Sequence, residues 1–270
     1  MDNLSENPSG YAIRRIILEQ SRRAHVGHIG SALSVADLLA VLYDTTLRVD
    51  SPEDPDRDRF ILSKGHAGLA LYAVLHRRGW VSARELDLYC ADGGRLGVHP
   101  VVGLRGIDFT TGSLGLGLSF GAGAALAARL RASSRRVYVL ISDAECNEGS
   151  VWEAAMFAAH HRLSNLTAIV DCNGQQALGY TKDVLDLGRM RDRWESSGWA
   201  AVEIDGHDTG AIAETLDRSR PAQRPTVVLA RTVFGKGVSF MENQIAWHYW
   251  PMDEAQYRQA MQEIGGAAAQ

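Results

Sequence analysis

Cysteine is scarce in this chain, and neither sign of charge dominates: 270 residues contain three cysteines and carry a formal net charge of −4. Cys90, Cys146 and Cys172 are odd in number, widely spaced and outside any CxxC pair, which argues against a disulfide framework or a zinc site. They read as small buried hydrophobes in a reducing compartment. The lack of a positive excess removes the electrostatic case for nucleic acid or an anionic membrane surface. Nowhere do eighteen apolar residues run together, so no membrane span is expected. The opening MDNLSENPSG is polar and acidic, unlike a secretory leader. Internal repeats, low-complexity blocks and convincing linkers are also missing. These absences point to a soluble, cytoplasmic protein whose partners are small molecules or other proteins. With 46% apolar residues, the chain can bury a substantial α/β core.

Helix and strand patterns alternate along most of the length. YAIRRIILEQSRR spaces Ile13, Ile16, Ile17 and Gln20 for one helical face, and SVADLLAVLY opens with Ser34 and Asp37 in capping-box positions. SARELDLYC repeats that signal with Ser82 and Glu85, while GLSFGAGAALAARLR is a small-residue helix suited to close packing. RRVYVLIS, NLTAIVDCN, AAVEI and PTVVLART are short β-branched runs that read as buried parallel strands. Helices are expected between them, at 152–161, 190–197 and 210–218. This alternation predicts a doubly wound, mostly parallel sheet flanked by helices. Residues 1–270 read as one domain, with 1–9 and 262–270 as flexible ends. The charged stretch Asp50 to Phe60 reads as an exposed loop.

Ligands of parallel sheets bind where strands end and loops begin. Asp143 follows YVLIS and Asn173 follows TAIVDC, so neighbouring strands would bring two hard oxygen donors to one edge, a set suited to Mg²⁺ or Ca²⁺. Asp and Asn also terminate strands simply because they favour turns. Three histidines, His28 in GHIG, His66 in SKGH and His99 in GVHP, each sit beside glycine-containing turns that allow close approach to a ligand. TTGSLGLG, glycine-rich and entering a helix, adds main-chain amides to such a pocket.

The ordered set GHIGSALSVADLLAVLY, DRFILSKGHAGLALYAVL, GVHP, TTGSLGLGLSFGAGAALA, SDAECNEGSVWEAAM, IVDCNG, IDGHD and GKGVSFMEN resembles the thiamine diphosphate-binding N-terminal half of transketolase over roughly residues 10–250. Eight motifs in order and spacing carry the likeness. The resemblance implies that Asp143, Asn173 and the main-chain carbonyl of Gln175 bind Mg²⁺, or Ca²⁺ in its place, and that the metal holds the diphosphate. It implies four catalytic histidines, with His28, His66 and His99 around the thiazolium and a sugar or sugar-phosphate substrate and His248 closing over the diphosphate end. Gly112, Ser113, Leu114, Ala144 and Glu145 would border the cofactor together with His66, Asn173 and His248, although Glu145 attracts no individual role. Glu148 and Glu153 match acids that link the two active sites across a dimer, but Ser150 and Glu153 also have capping-box spacing. The implied reaction moves a two-carbon ketol unit to an aldehyde, with proton transfers at hydroxyls.

The pyrimidine-binding half that completes such enzymes has no counterpart after Phe240. The resemblance therefore implies a split enzyme, active only with a separate pyrimidine-binding subunit and assembled as an α2β2 heterotetramer. Ile29, Leu116 and Gln175 depart from the family pattern, Gln175 standing where an apolar residue is common. Ser142 and Ala144 replace the glycines that flank the metal aspartate, which leaves the substrate open. Two other readings remain: a decarboxylating subunit of the 2-oxoacid dehydrogenase type, which fits SKGH and GVHP poorly, and a non-catalytic scaffold.

Overall fold

The alternating patterns resolve into three layers, helices on both faces of one sheet, in the computed structural model, which describes residues 9–218 and 223–267. In chain order the elements are α1 (Ser9–Ala24), α2 (Ile29–Ser34), α3 (Ala36–Val41), β1 (Arg59–Leu62), α4 (Gly68–Arg77), α5 (Ala83–Leu86) and α6 (Gly117–Leu130). There follow β2 (Val137–Ser142), α7 (Gly149–His160), β3 (Leu166–Cys172), a hairpin of β4 (Gln175–Gln176) and β5 (Gly179–Tyr180), and α8 (Thr181–Val184). The chain continues through α9 (Met190–Ser196), β6 (Ala200–Asp205), α10 (Thr209–Arg218), β7 (Thr226–Arg231) and α11 (Glu254–Ala267). The main sheet runs β1-β2-β3-β7-β6 with every neighbouring pair parallel. All five C-terminal strand ends therefore open at one edge. No described helix is long and apolar enough to cross a membrane.

Side chains alternate across a strand, and the two cores follow that period. Tyr138, Leu140 and Ile169 join the core on the α1, α3 and α4 side; Val139, Ile141, Ala168 and Val170 join the one on the α6 and α7 side. Continuing the period along β3 sends Asp171 to the first face and Cys172 to the second, where it packs against the second core. Small residues in α6 serve close approach, as expected: a Cβ on Gly121 would stand 2.3 Å from Val139 of β2.

Several expectations need correction. Ser34 and Asp37 form no capping box, because α2 already runs through Ser34 and both side chains are drawn into buried bonds elsewhere. The Ser82–Glu85 box does form, with both reciprocal bonds present. Ser150 does not cap α7 either: it lies inside the helix and its hydroxyl donates to the Gly115 carbonyl at 2.9 Å. The charged loop ends in a strand, β1, with Arg57 and Asp58 buried; Arg57 pairs with Asp108 at 2.8 Å. Abundant charge before RFIL concealed its short apolar run. Cys90 is exposed rather than buried. At the ends, α1 already includes Ser9 and α11 carries the tail in helix through Ala267, while residues 1–8 and 268–270 lie outside the described residues.

The two serines can be told apart by stability. Ser82→Ala is expected to cost about 1 kcal/mol, as loss of an exposed cap, and Ser34→Ala about 2 kcal/mol, as loss of a buried bond to a charged group, in urea unfolding. Equal losses would contradict these different roles.

Candidate active site

At the open edge the β2–β3 register pairs Ser142 with Asp171, so the residues that follow, Asp143 and Asn173, emerge side by side. Asp143 accepts hydrogen bonds from the main-chain N–H of Ala144 at 2.8 Å and of Gly174 at 2.9 Å. Asn173 Oδ1 accepts from the Gln175 N–H at 2.9 Å, which curls residues 173–175 into a tight loop. Burial, followed by the nearby Asp171 charge, pushes the Asp143 carboxyl up to about 7. A half-buried carboxylate with only main-chain donors among the described residues, beside the amide oxygen of Asn173, is a donor set that suits a hard divalent cation. The expected metal residues fit that group.

Beneath this edge lies a pair that sequence reasoning missed. Lys64 and Asp171 are fully buried and paired. Lys64 Nζ also donates to the Ser31 carbonyl at 3.1 Å. Asp171 accepts from Ser34 Oγ at 2.8 Å, from Asn173 Nδ2 at 2.8 Å and from the Thr232 hydroxyl. One carboxylate thus joins α2, the ends of β1, β3 and β7, and the orientation of Asn173. The signal was present: a charge inside the buried strand TAIVDC requires a partner, and SKGH offers a lysine immediately after β1.

Three of the four expected histidines meet. The ring centroids of His28, His66 and His248 form a triangle with sides of 5.1 to 5.3 Å. His28 sits at φ 63, in the left-handed region, and its N–H donates to the His248 carbonyl at 3.2 Å. His66 Nε2 lies 3.1 Å from Ser31 Oγ. His99 is exposed at the rim, where a Cβ on Gly112 would lie 3.4 Å from its ring, and its carbonyl accepts from the Tyr72 hydroxyl at 3.0 Å. Burial lowers the pKa of His28, with His99 adding to the effect, and lowers that of His66 well below the ordinary value, with Lys64 adding. Burial and then His28 bring His248 to about 4. All three shifts favour the uncharged imidazole, and the Nδ1 atoms of His28 and His248 are buried with no partner among the described residues.

Glu145 is fully buried and its carboxylate faces inward. It accepts from the Ser63 hydroxyl, from Gly115 N–H at 2.7 Å and from Ser142 N–H at 3.3 Å, while Ser142 Oγ accepts from the Glu145 N–H at 3.0 Å. Its side chain ties the β1 and β2 ends to the glycine-rich loop. Gly115 has φ +84, and a Cβ there would press on Ser150 and Glu148, so this turn requires glycine. Ser113 is exposed and Leu114 half-buried on the same loop. Glu148, at the N-cap position of α7 without a side-chain capping bond, and Glu153, inside the helix, are both exposed.

A cavity of about 80 Å³ joins the two sets, lined by Lys64, His66, Leu114, Ala144, Asn173 and His248 among others. A larger groove of about 490 Å³ opens on the other side of Asp143, under the segment between α8 and α9. His66, His248 and Asn173 line the smaller cavity, whereas Asp143 lines the groove.

This fold and edge define a cofactor-binding α/β domain: residues 6–270 match the family described as transketolase, thiamine diphosphate binding domain. The chain belongs to the transketolase family. It is 40% identical to the 6-deoxy-6-sulfo-D-fructose transketolase subunit of a Clostridium species, over 93% of each chain. To an apulose-4-phosphate transketolase subunit of Phocaeicola vulgatus it is 39% identical, over 93% of this chain and 90% of that one. The crystal structure of Campylobacter jejuni transketolase superposes with a TM-score of 0.90 at 27% identity, covering 98% of this chain but only 43% of that one. The chain thus corresponds to less than half of that longer enzyme.

Lys64→Met, which leaves Asp171 buried and unpaired, is expected to cost about 3–5 kcal/mol in urea unfolding. The double variant Lys64→Met/Asp171→Leu is expected to recover much of the loss; additive losses would contradict the pairing.

Proposed function

We propose that the chain is the diphosphate-binding subunit of a two-chain transketolase, transferring a two-carbon ketol unit from a ketose or ketose phosphate to an aldose with thiamine diphosphate and Mg²⁺, or Ca²⁺ in its place. The observation that carries this reading is the packed triangle of His28, His66 and His248, of which His66 and His248 line one cavity with Asn173. Asp143, Asn173 and the Gln175 carbonyl would hold the cation and, through it, the diphosphate. Main-chain groups of Gly112, Ser113, Leu114 and Ala144 would border the cofactor. When bound, thiamine diphosphate supplies the carbon nucleophile and electron sink for breaking a carbon–carbon bond.

This chain's own contribution is binding, orientation and proton handling. Neutral imidazoles of His28, His66 and His248 accept hydrogen bonds from sugar hydroxyls, and their packing holds the acceptor nitrogens in place. The Nδ1 atoms of His28 and His248 are buried with no partner among the described residues, a need that a ligand's donor would meet. His99 at the rim meets the substrate's outer end. The Lys64–Asp171 pair acts at one remove by orienting Asn173.

Relatives of matching length are named as transketolase subunits, which supports a separate chain supplying the pyrimidine-binding half. Glu148 and Glu153 face outward, available for a link across subunits in an α2β2 heterotetramer. A cytoplasmic location agrees with the sugar chemistry.

Ketol transfer is expected only when this chain is mixed with the pyrimidine-binding chain, measured with a ketose donor and an aldose acceptor; full activity of this chain alone contradicts the split. In the reconstituted pair, Asp143→Ala is expected to abolish Mg²⁺-dependent thiamine diphosphate binding by calorimetry. Retained stoichiometric binding would remove Asp143 from the metal site.

A further inference from the structure

The β4–β5 hairpin carries Gln175, and the segment 243–249 carries His248. Three side chains fasten one to the other. Gln175 Nε2 donates to the Asn243 carbonyl at 2.9 Å, Tyr180 Oη donates to the same carbonyl at 3.3 Å, and Tyr249 Oη donates to the Ala177 carbonyl at 2.7 Å. The strap continues to the histidines, because the His248 carbonyl accepts from the His28 N–H and the His248 and Tyr249 rings stand 5.0 Å apart. Asn243 presents its twice-accepting carbonyl from a left-handed conformation, φ 57, which asparagine tolerates better than most residues. Its own N–H is anchored on the Phe234 carbonyl at 2.9 Å.

Gln175 is only 5% exposed and lines the small cavity. Its Oε1 has no partner among the described residues. A buried acceptor left unpaired is costly unless a ligand brings a donor, so its retention in the cavity wall points toward a bound ligand. An apolar residue at this position would keep the main-chain carbonyl and lose the clamp.

We propose that Gln175 is a positioning residue whose amide couples the cation edge to the histidine triangle, so that cation binding and the placement of His248 stabilise each other. The proposal rests on the functional reading above in taking the Gln175 carbonyl as a metal ligand. Two-state coupling of this kind is reciprocal. Ordering of the hairpin by the cation fixes the segment 243–249, and a sugar held by His248 tightens the hairpin in return.

Gln175→Met keeps the volume and the carbonyl but removes the donor. In the full chain with its partner, amide exchange of residues 174–181 and 243–249 without metal is expected to lose about tenfold in protection. The Mg²⁺ midpoint for thiamine diphosphate binding is expected to rise about tenfold, within the range for lost outer-shell partners of a metal site. Tyr249→Phe is expected to move both readouts the same way, and the double variant to be less than additive; should Gln175→Met fail to fold, Tyr249→Phe carries the test. Unchanged protection and midpoint overturn the proposal, and loosened segments with an unchanged midpoint reduce the strap to a structural role and overturn the coupling. Absence of Mg²⁺-dependent cofactor binding in the unaltered chain overturns the functional reading instead, and is distinguishable because amide protection is measured without metal.

Discussion

The buried Lys64–Asp171 ion pair is the constraint around which the candidate site is built. Two charges removed from water are tolerated only when paired and fully hydrogen-bonded, and here the carboxylate takes donors from Ser34, Asn173 and Thr232 besides the lysine. Those donors come from different parts of the chain. The pair therefore converts the electrostatic cost of burial into a fixed arrangement of α2, β1, β3 and β7 at the strand ends.

Glu145 does the same for the neighbouring loops, joining Ser63, Gly115 and Ser142. Asp143 at the same edge is half-buried, is held among the described residues by main-chain N–H groups, and has its carboxyl pushed up to about 7 by burial and by Asp171. The contrast separates roles. Asp171 and Glu145 take side-chain donors of the protein, whereas Asp143 takes only the main-chain donors of Ala144 and Gly174 among the described residues. Ser142, one of the positions where the resemblance implies glycine, is absorbed into the Glu145 network through both its N–H and its hydroxyl oxygen.

Much of this was legible in the sequence, and for physical reasons. Short apolar, β-branched runs placed β2, β3, β6 and β7, and strand-end donors placed Asp143 and Asn173, because parallel strands force their C-terminal ends to one edge. Motif order brought His28, His66 and His248 into consideration, though not their triangular packing, which depends on a bond between residues more than two hundred positions apart. Charge concealed β1, since Arg57 and Asp58 are polar by type but buried by pairing. Capping signals at Ser34 and Ser150 misled for a related reason: local side-chain bonds lost to tertiary ones. Lys64 and Asp171 escaped notice because each was read as part of a motif centred on another residue.

The central claim is that the Asp143–Asn173 edge and the histidine triangle form one site. The most direct test is a crystal structure of the chain with its partner, thiamine diphosphate and Mn²⁺ in place of Mg²⁺, with the metal located by anomalous scattering. The account requires the metal peak at Asp143, Asn173 and the Gln175 carbonyl, with the cofactor extending into the cavity beside His28, His66 and His248. A peak in the groove between α8 and α9, or a cofactor directed away from the histidines, would contradict it.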